Sequence, residues 1–202
     1  RTVASSWTTP IVIDAGGRRQ LITCATPWVL AYDPADGTEL WGAEFLLGDV
    51  APSPIFAGGL VFAVNDGAVL AAIRPDGDGV VTDTKIVWKA HDGLPDIASP
   101  VSDGNLVYLV AAGGLITCYD AADGKKVWEK YLERNYTASP SLVGNRIYLL
   151  DMDGVMLMLE AGREFKELGQ AELGEECHAS PAFADGRIYI RSEGHLYCIG
   201  KK

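Results

Sequence analysis

Five Ser/Thr-Pro pairs recur along the chain, at Thr9-Pro10, Ser53-Pro54, Ser99-Pro100, Ser139-Pro140 and Ser180-Pro181, with steps of 44, 46, 40 and 41 residues between the prolines. Each proline is followed by the same parts in the same order. A short apolar run leads to a Gly turn, as at Gly58-Gly59, Asp103-Gly104-Asn105, Gly144-Asn145 and Asp185-Gly186. A β-rich run follows, such as LVFAV (60–64), LVYLV (106–110), RIYLL (146–150) or RIYIR (187–191). After a second Gly-bearing turn comes a third run, as in VLAYD (29–33), VLAAI (69–73), LITCYD (115–120), VMLMLE (155–160) and HLYCIG (195–200). A further turn, PADG (34–37) or AADG (121–124), stands four residues before Trp41 and Trp128. Trp88 takes that part after the longer insert DGVVTDT (78–84), and Phe165 stands in for it in the fourth unit.

Each unit therefore reads as four strands. Asp-Gly and Gly-Asn pairs suit hairpin turns because they accept positive φ at little cost. Four short antiparallel strands cannot bury both faces alone, whereas stacking such sheets radially buries them and leaves only short edges. A period of about 40–45 residues with four strands per unit predicts an all-β chain, a β-propeller of four-stranded antiparallel blades. The expected organisation is one domain over 1–202, with repeats near 7–49, 50–96, 97–136, 137–177 and a three-stranded 178–202. Pro54, Pro100, Pro140 and Pro181 open the innermost strands, where a missing N–H falls at an element end. Trp41, Trp88 and Trp128 sit on the outermost strands, where a large ring covers the junction with the next blade. These prolines and tryptophans are read as structural.

SPSLVGNRIYLLDMDGVMLMLEA (139–161) and LITCYDAADGKKVW (115–128) resemble the quinoprotein-type, or pyrroloquinoline-quinone-like, β-propeller repeat. AIRPDGDGVVTDTKIVWK (72–89) and LGEECHASPAFADGRIYIRSEGHLYCIG (173–200) are similar to the C-terminal half of bacterial proteins carrying that repeat. The resemblance covers nearly the whole chain and implies an exported protein of the bacterial cell envelope, periplasmic or secreted. Its relatives include quinone-dependent alcohol dehydrogenases and an eight-bladed outer-membrane assembly lipoprotein. Four full units plus a partial fifth fit either a compact ring of about five blades or an arc of an eight-bladed ring, and the arc is the expectation. RTVASS (1–6) is the one candidate here for a closing strand. The chain does not begin with Met, so a longer or processed parent is expected, and its missing blades would be one partner of this arc.

The resemblance also sets a test for chemistry. The quinone-dependent dehydrogenases use an adjacent-cysteine disulfide and a calcium ion held by Glu, Asn and Asp. Cys24, Cys118, Cys177 and Cys198 include no adjacent pair and no CxxC. The expectation is that no cofactor is used, with pyrroloquinoline quinone and calcium, and hence a dehydrogenase or a fragment of one, as the alternative. Fold resemblance does not carry an activity by itself. RPDGDGVVTD (74–83) fails as a calcium loop because Arg74 and Lys85 fall where ligands are needed, so it reads as a surface loop. His91, His178 and His195 are scattered, and spacing pairs none of them with a nucleophile and an acid. Cys118 and Cys198 occupy the third-strand place held elsewhere by Ala31, Ala71 and Met158, whereas Cys177 is expected to be the most accessible thiol. An even count leaves disulfides open.

The net charge of −10 argues against a nucleic-acid partner, which needs a positive footprint. RTVASSWTTP has no apolar signal core, and no run of about 18 apolar residues exists to span a membrane as a helix. A binding role therefore falls to the loops. Links into the first strand and turns between the second and third share one face and vary most, which is where function tends to sit. That face collects Asp49, Asp66, Asp96, Arg134, Asn135, Tyr136, Asp151, Asp153, Glu175, Glu176, His178, Arg191 and Glu193. The residues three before each proline, Trp7, Ala51, Ile97, Thr137 and His178, should lie near the central channel. A non-catalytic scaffold binding a protein, peptide or glycan is expected, using Trp7, Asp66, Arg134, Tyr136, Asp151, Asp153, Glu176, His178, Arg191 and Glu193.

Overall fold

The computed structural model describes residues 6–200, and these hold strands, turns and no helix. RTVASS, the candidate closing strand, lies outside the described residues except for Ser6. The first sheet runs β1 (Ile11–Ala15), β2 (Arg18–Ala25), β3 (Trp28–Tyr32), β4 (Glu39–Glu44). The second is built from β5 (Ile55–Ala57), β6 (Leu60–Val64), β7 (Leu70–Ile73) and, after a short β8 (Gly79–Val80), β9 (Ile86–Ala90). The third comprises β10 (Val101–Ser102), β11 (Leu106–Val110), β12 (Leu115–Asp120) and β13 (Lys126–Tyr131). The fourth comprises β14 (Ser141–Val143), β15 (Arg146–Leu150), β16 (Val155–Glu160) and β17 (Glu167–Glu172). A three-stranded fifth sheet holds β18 (Ala182–Ala184), β19 (Arg187–Arg191) and β20 (Leu196–Gly200). Neighbouring strands in each unit pair antiparallel in chain order, giving the expected blades of a partial β-propeller.

The cores lie between sheets rather than within them. One buried cluster joins the first and second units through Ile22, Trp41, Val61 and Ile73. Others join the second to the third through Phe62 and Val107, and the third to the fourth through Tyr108 and Ile147. A smaller cluster, with Leu150 and Ile190, joins the fourth to the fifth. Alternation along each strand sends one set of side chains to the preceding unit and the other set to the next. A unit taken alone would leave both sets in water.

The Ser-Pro repeat has a second purpose. The backbone N–H of Ser53 donates to Ser99 Oγ at 2.9 Å, that of Ser99 to Ser139 Oγ at 2.9 Å, and that of Ser139 to Ser180 Oγ at 2.9 Å. Thr9 N–H donates to Ser53 Oγ at 2.8 Å in the same manner. Inner strands too widely splayed for a full ladder are thus linked through one hydroxyl per joint. On the opposite face the turns come close enough to need glycine. A Cβ on Gly58, at φ 57°, would stand 2.5 Å from the carbonyl oxygen of Gly104.

The tryptophans bridge units, as expected. Trp88 Nε1 donates to Ala121 O at 2.9 Å and Trp128 Nε1 to Gly162 O at 3.0 Å, each in the next unit. Trp41 does so indirectly. Its Nε1 donates to Gln20 Oε1 at 2.7 Å, and Gln20 Nε2 donates to Pro75 O at 2.7 Å in the second unit.

Register corrects two sequence readings. Trp41 pairs with Ala31, Trp88 with Ala72 and Trp128 with Cys118, each beside a bulge whose extra residue, Leu40, Val87 or Val127, is on the outer strand. The small third-strand residue is therefore Ala72, not Ala71. In the fourth unit the same place pairs Met158 with Gly169, so Gly169, not Phe165, is the counterpart of the tryptophans. Phe165 instead packs edge-on against Trp128, with centroids 5.6 Å apart.

The insert 78–84 is more than a surface loop. β8 pairs in parallel with β4, Trp41 opposite Gly79 and Gly42 opposite Val80. A segment of the second unit thereby covers the outer edge of the first, which limits stray strand pairing there. Val81 N–H donates to Gly42 O at 2.8 Å, and Arg18 pairs with Asp78 at 2.8 Å. Asp76, just before the insert, pairs with Lys85 at 2.9 Å, so Asp76 and Asp78 both have cationic partners.

The cysteines are free. Cys24, Cys118 and Cys177 are buried and Cys198 is exposed, the reverse of the expectation for Cys177. Cys177 N–H donates to Met152 O at 3.0 Å, which draws it beneath the neighbouring turn. Cys198 pairs with Tyr189 on the side of the fifth sheet facing away from the fourth. Burial pushes the Cys24 and Cys118 thiols up to about 12.

Candidate functional site

The inter-unit links and the turns between second and third strands do share a face, because they hydrogen-bond to each other. Tyr136 N–H donates to Ala112 O, Met152 N–H to Asn135 O, and Glu193 N–H to Glu176 O, at 2.9, 2.9 and 3.1 Å. Asn65 bonds the Leu47 and Asp49 carbonyls in the first link. Each link is thus held by a turn on one side and supports the turn of the next unit on the other.

The predicted residues divide three ways on this face. Tyr136 and Asp151 are buried, at 1% and 0% exposure, and present nothing to a partner. Tyr136 belongs to the cluster between the third and fourth units, where burial raises its hydroxyl well above the usual phenol range. Asp151 holds its own turn closed, accepting Val155 N–H at 2.7 Å and Arg134 Nη1–H at 2.6 Å. Arg134 is therefore engaged, with Nη2 on Gln170 Oε1 at 3.0 Å. Its guanidinium is held further up by Asp151. Asp66 and Asp153 are exposed, each on its own turn.

Glu176, His178, Arg191 and Glu193 are brought together. With Ala179 and Ser192 they line one open cavity of about 380 Å³ at the fifth unit. His178 Nε2 lies 2.9 Å from Glu176 Oε1, and its Nδ1 lies 3.3 Å from Thr137 Oγ1, the residue at the same place one unit earlier. Arg191 is exposed and forms no ion pair among the described residues. The cavity thus offers a free guanidinium beside two carboxylates.

Sequence spacing did not reveal the anchor behind this cavity. Glu175 accepts Ser192 Oγ–H at 2.5 Å, Tyr197 O–H at 2.7 Å and Gly194 N–H at 3.2 Å, and lies 2.5 Å from His195 Nδ1. Ser192, then Tyr197, then His195 and Gly194 hold this carboxyl down to about 2. The arrangement is a clamp: the Ser192 hydroxyl and the His195 ring both address the carboxylate, and Ser192 Oγ meets the His195 backbone, accepting its N–H at 3.0 Å, rather than its ring. A carboxyl lowered from 4.5 to about 2 on folding adds stability that is complete above about pH 4.5 and is lost as pH falls through about 2. Glu175→Gln is therefore expected to flatten the acid limb of urea-unfolding midpoints measured from pH 6 to pH 2. An unchanged slope would remove this role.

The remaining predicted residue, Trp7, is 65% exposed, and its N–H donates to Val50 O at 3.0 Å. Ile97 and Leu47, in later links, are 46% and 56% exposed. The row three before each proline therefore begins apolar and ends in the charged cavity. Among the described residues no helix is long and apolar enough to cross a membrane.

None of the curated proteins matches the chain by sequence. Among solved structures, BamB from Moraxella catarrhalis superposes with a TM-score of 0.73 at 16% identity, over 95% of this chain and 57% of that one. Sqt1 of Saccharomyces cerevisiae gives 0.68 at 14% identity, over 96% of this chain and 59% of that one. The chain thus spans less than two thirds of each. A sequence profile described as outer membrane protein assembly factor BamB matches residues 4–96 and 77–164. On that match, over a fold of the same blades, the chain belongs to the BamB family of β-propeller repeat proteins.

Proposed function

We propose that this chain is a non-catalytic propeller scaffold that binds a protein partner through its link-and-turn face, in the envelope of a bacterium. One observation carries the choice of face. Trp7, Leu47 and Ile97 expose large apolar side chains on the links, and the row three before each proline, to which Trp7 and Ile97 belong, ends at His178 in the cavity with Glu176, Arg191 and Glu193. Apolar anchors beside charged groups are the makeup of a protein interface rather than of a solvated surface. The envelope location is taken from the family, whose description concerns outer-membrane assembly. The scaffold works without a quinone or calcium, and a protein is preferred over a glycan because the exposed anchors are aliphatic as well as aromatic.

A photo-crosslinking residue placed at Trp7 or Ile97 is expected to capture an envelope protein in cells, and one at Asp36, on the opposite turns, is not. Trp7→Ser together with Ile97→Asp should lower capture from a crosslinker at Arg191 by about tenfold. Capture from Asp36 alone would overturn the face. A saturable rise in melting temperature with pyrroloquinoline quinone and calcium, or specific signal on a carbohydrate array, would overturn the partner class.

A further inference from the structure

The junction between the fourth and fifth units differs from the earlier ones at a single repeated place. At each junction an outer-strand residue lies over a residue of the second strand and faces a pair from the next unit. In the first junction Trp41 meets Ile22, Val61 and Ile73, all 0% exposed. In the second Trp88 meets Phe62, Val107 and Tyr119, with ring centroids 5.8 Å from Phe62 and 6.5 Å from Tyr119. In the third Trp128 meets Tyr108, Ile147 and Leu159, with 6.0 Å to Tyr108. None of these second- and third-strand residues is more than 2% exposed. In the fourth junction register assigns the same three places to Tyr148, Ile188 and Ile199, and assigns the tryptophan's place to Gly169.

The missing ring leaves an open surface. Ile199 is 44% exposed where Leu159 is 1%, and Tyr148 and Ile188 are only half-buried. Met158 reaches toward Gly169, its Cε 3.7 Å from where a Cβ would stand, and fills part of the floor. Beside this surface, at the first turns of the two units, a cavity of about 340 Å³ is lined by Val143, Tyr148, Phe183, Asp185, Arg187 and Ile188 among others. Phe183 lies against Tyr148 with centroids 4.8 Å apart, forming an aromatic wall. Phe183 matches Leu142 by register, and Leu142 packs against the cluster that holds Trp128.

We infer that this junction is a docking slot for a tryptophan side chain presented by another polypeptide. The chain itself supplies the pattern for the occupant, since three neighbouring junctions of the same build are each filled by an indole. Among the described residues no tryptophan of this chain fills it. It has five; three fill their own junctions, Trp28 packs beneath Gly42 in the first unit, and Trp7 is held by its backbone N–H to Val50 O on the link face, with its ring exposed. An aromatic and aliphatic lining with the Arg187 guanidinium and the Asp185 carboxylate at its edge suits an indole, through stacking on Tyr148 and Phe183 and contact of Arg187 with the π face. The slot is separate from the link-and-turn face, so it does not rest on the partner proposed there.

The test uses the 202-residue chain and two amidated peptides copied from β13, KVWEKY and KVAEKY. The tryptophan peptide should bind saturably, with chemical-shift changes centred on Tyr148, Phe183, Ile188 and Ile199. The alanine peptide should bind at least about tenfold more weakly. Phe183→Ser and, independently, Ile199→Asp should each weaken the first peptide by a similar factor while leaving the amide spectrum of the other units in place. Equal affinity of the two peptides, shift changes around Trp7 and Ile97, or no binding up to the solubility limit would each overturn the slot. Self-association that Trp7→Ser abolishes, with the same shifts, would assign the occupant to a second copy and overturn the partner claimed here.

Discussion

Trp41→Ala is expected to lower the free energy of unfolding by about 5 kcal/mol, the largest effect of any single change to the first two units. Removing a fully buried tryptophan costs about 3–5 kcal/mol through lost burial and an unfilled cavity. The same change takes the donor away from Gln20 Oε1, and an acceptor left buried without a partner adds about 1 kcal/mol or more. Gln20 also ties the second unit through Pro75 O, so the damage spans a joint rather than one blade. Trp41→Phe should keep most of the packing and lose the hydrogen bond, at roughly half the cost. Trp128→Ala, at a half-buried site, should cost about 3 kcal/mol. Urea unfolding followed by far-UV dichroism measures all three. An effect of Trp41→Ala below that of Trp128→Ala would contradict the relay through Gln20.

Arg134→Ala is the second large effect. It leaves the Asp151 carboxylate at 0% exposure with one backbone donor, Val155 N–H, and no cation. Breaking a buried pair from one side costs about 3–5 kcal/mol because a charge stays buried without compensation. Asp151→Asn keeps an acceptor for Val155 N–H and removes the charge, so it should cost less than Arg134→Ala. That order is the opposite of what a surface ion pair would give, where both changes would fall within about 1 kcal/mol. The loss should also persist at 1 M NaCl, since burial shields the pair from screening. A loss that disappears in high salt would place the pair at the surface.

Much of the architecture could be read from the chain before any coordinates. Proline spacing set the units, and Gly-bearing turns set the strand ends, because both depend on backbone conformations that few residues accept. Two readings failed where register depends on something other than counting. Phe165 stands three residues after Gly162, close to the four that separate Gly37 from Trp41 and Gly124 from Trp128. The fourth unit has a longer turn, so the place opposite Met158 falls to Gly169. The other slip, between Ala71 and Ala72, came from the repeated VLA at 29–31 and 69–71, which the register sets one place apart. The parallel pairing of β8 had no signal at all, since two residues are too few for a periodicity.

The site was legible in outline and not in detail. Loop-face membership follows from topology, and Glu176, His178, Arg191 and Glu193 do converge. Which loop side chains turn inward is decided by hydrogen bonds between units, and a linear reading cannot see those. Tyr136 and Asp151 turn inward because the link at Asn135 and Tyr136 is bonded to turns on both sides. Glu175 was visible only as one acid among many. Its four partners come from a hairpin some 17 to 22 residues further along the chain.

The serine links along the inner strands have a consequence for how such a chain lengthens or shortens. Each Ser-Pro serine gives its N–H forward and its hydroxyl oxygen backward, so the joints Ser53–Ser99, Ser99–Ser139 and Ser139–Ser180 are chemically interchangeable. An in-frame duplication or deletion of one whole module would carry its connector with it and meet a compatible neighbour on either side. Growth by copying is thereby tolerated at the hub, and the demand for new solutions moves to the rim, where one joint already lacks its ring.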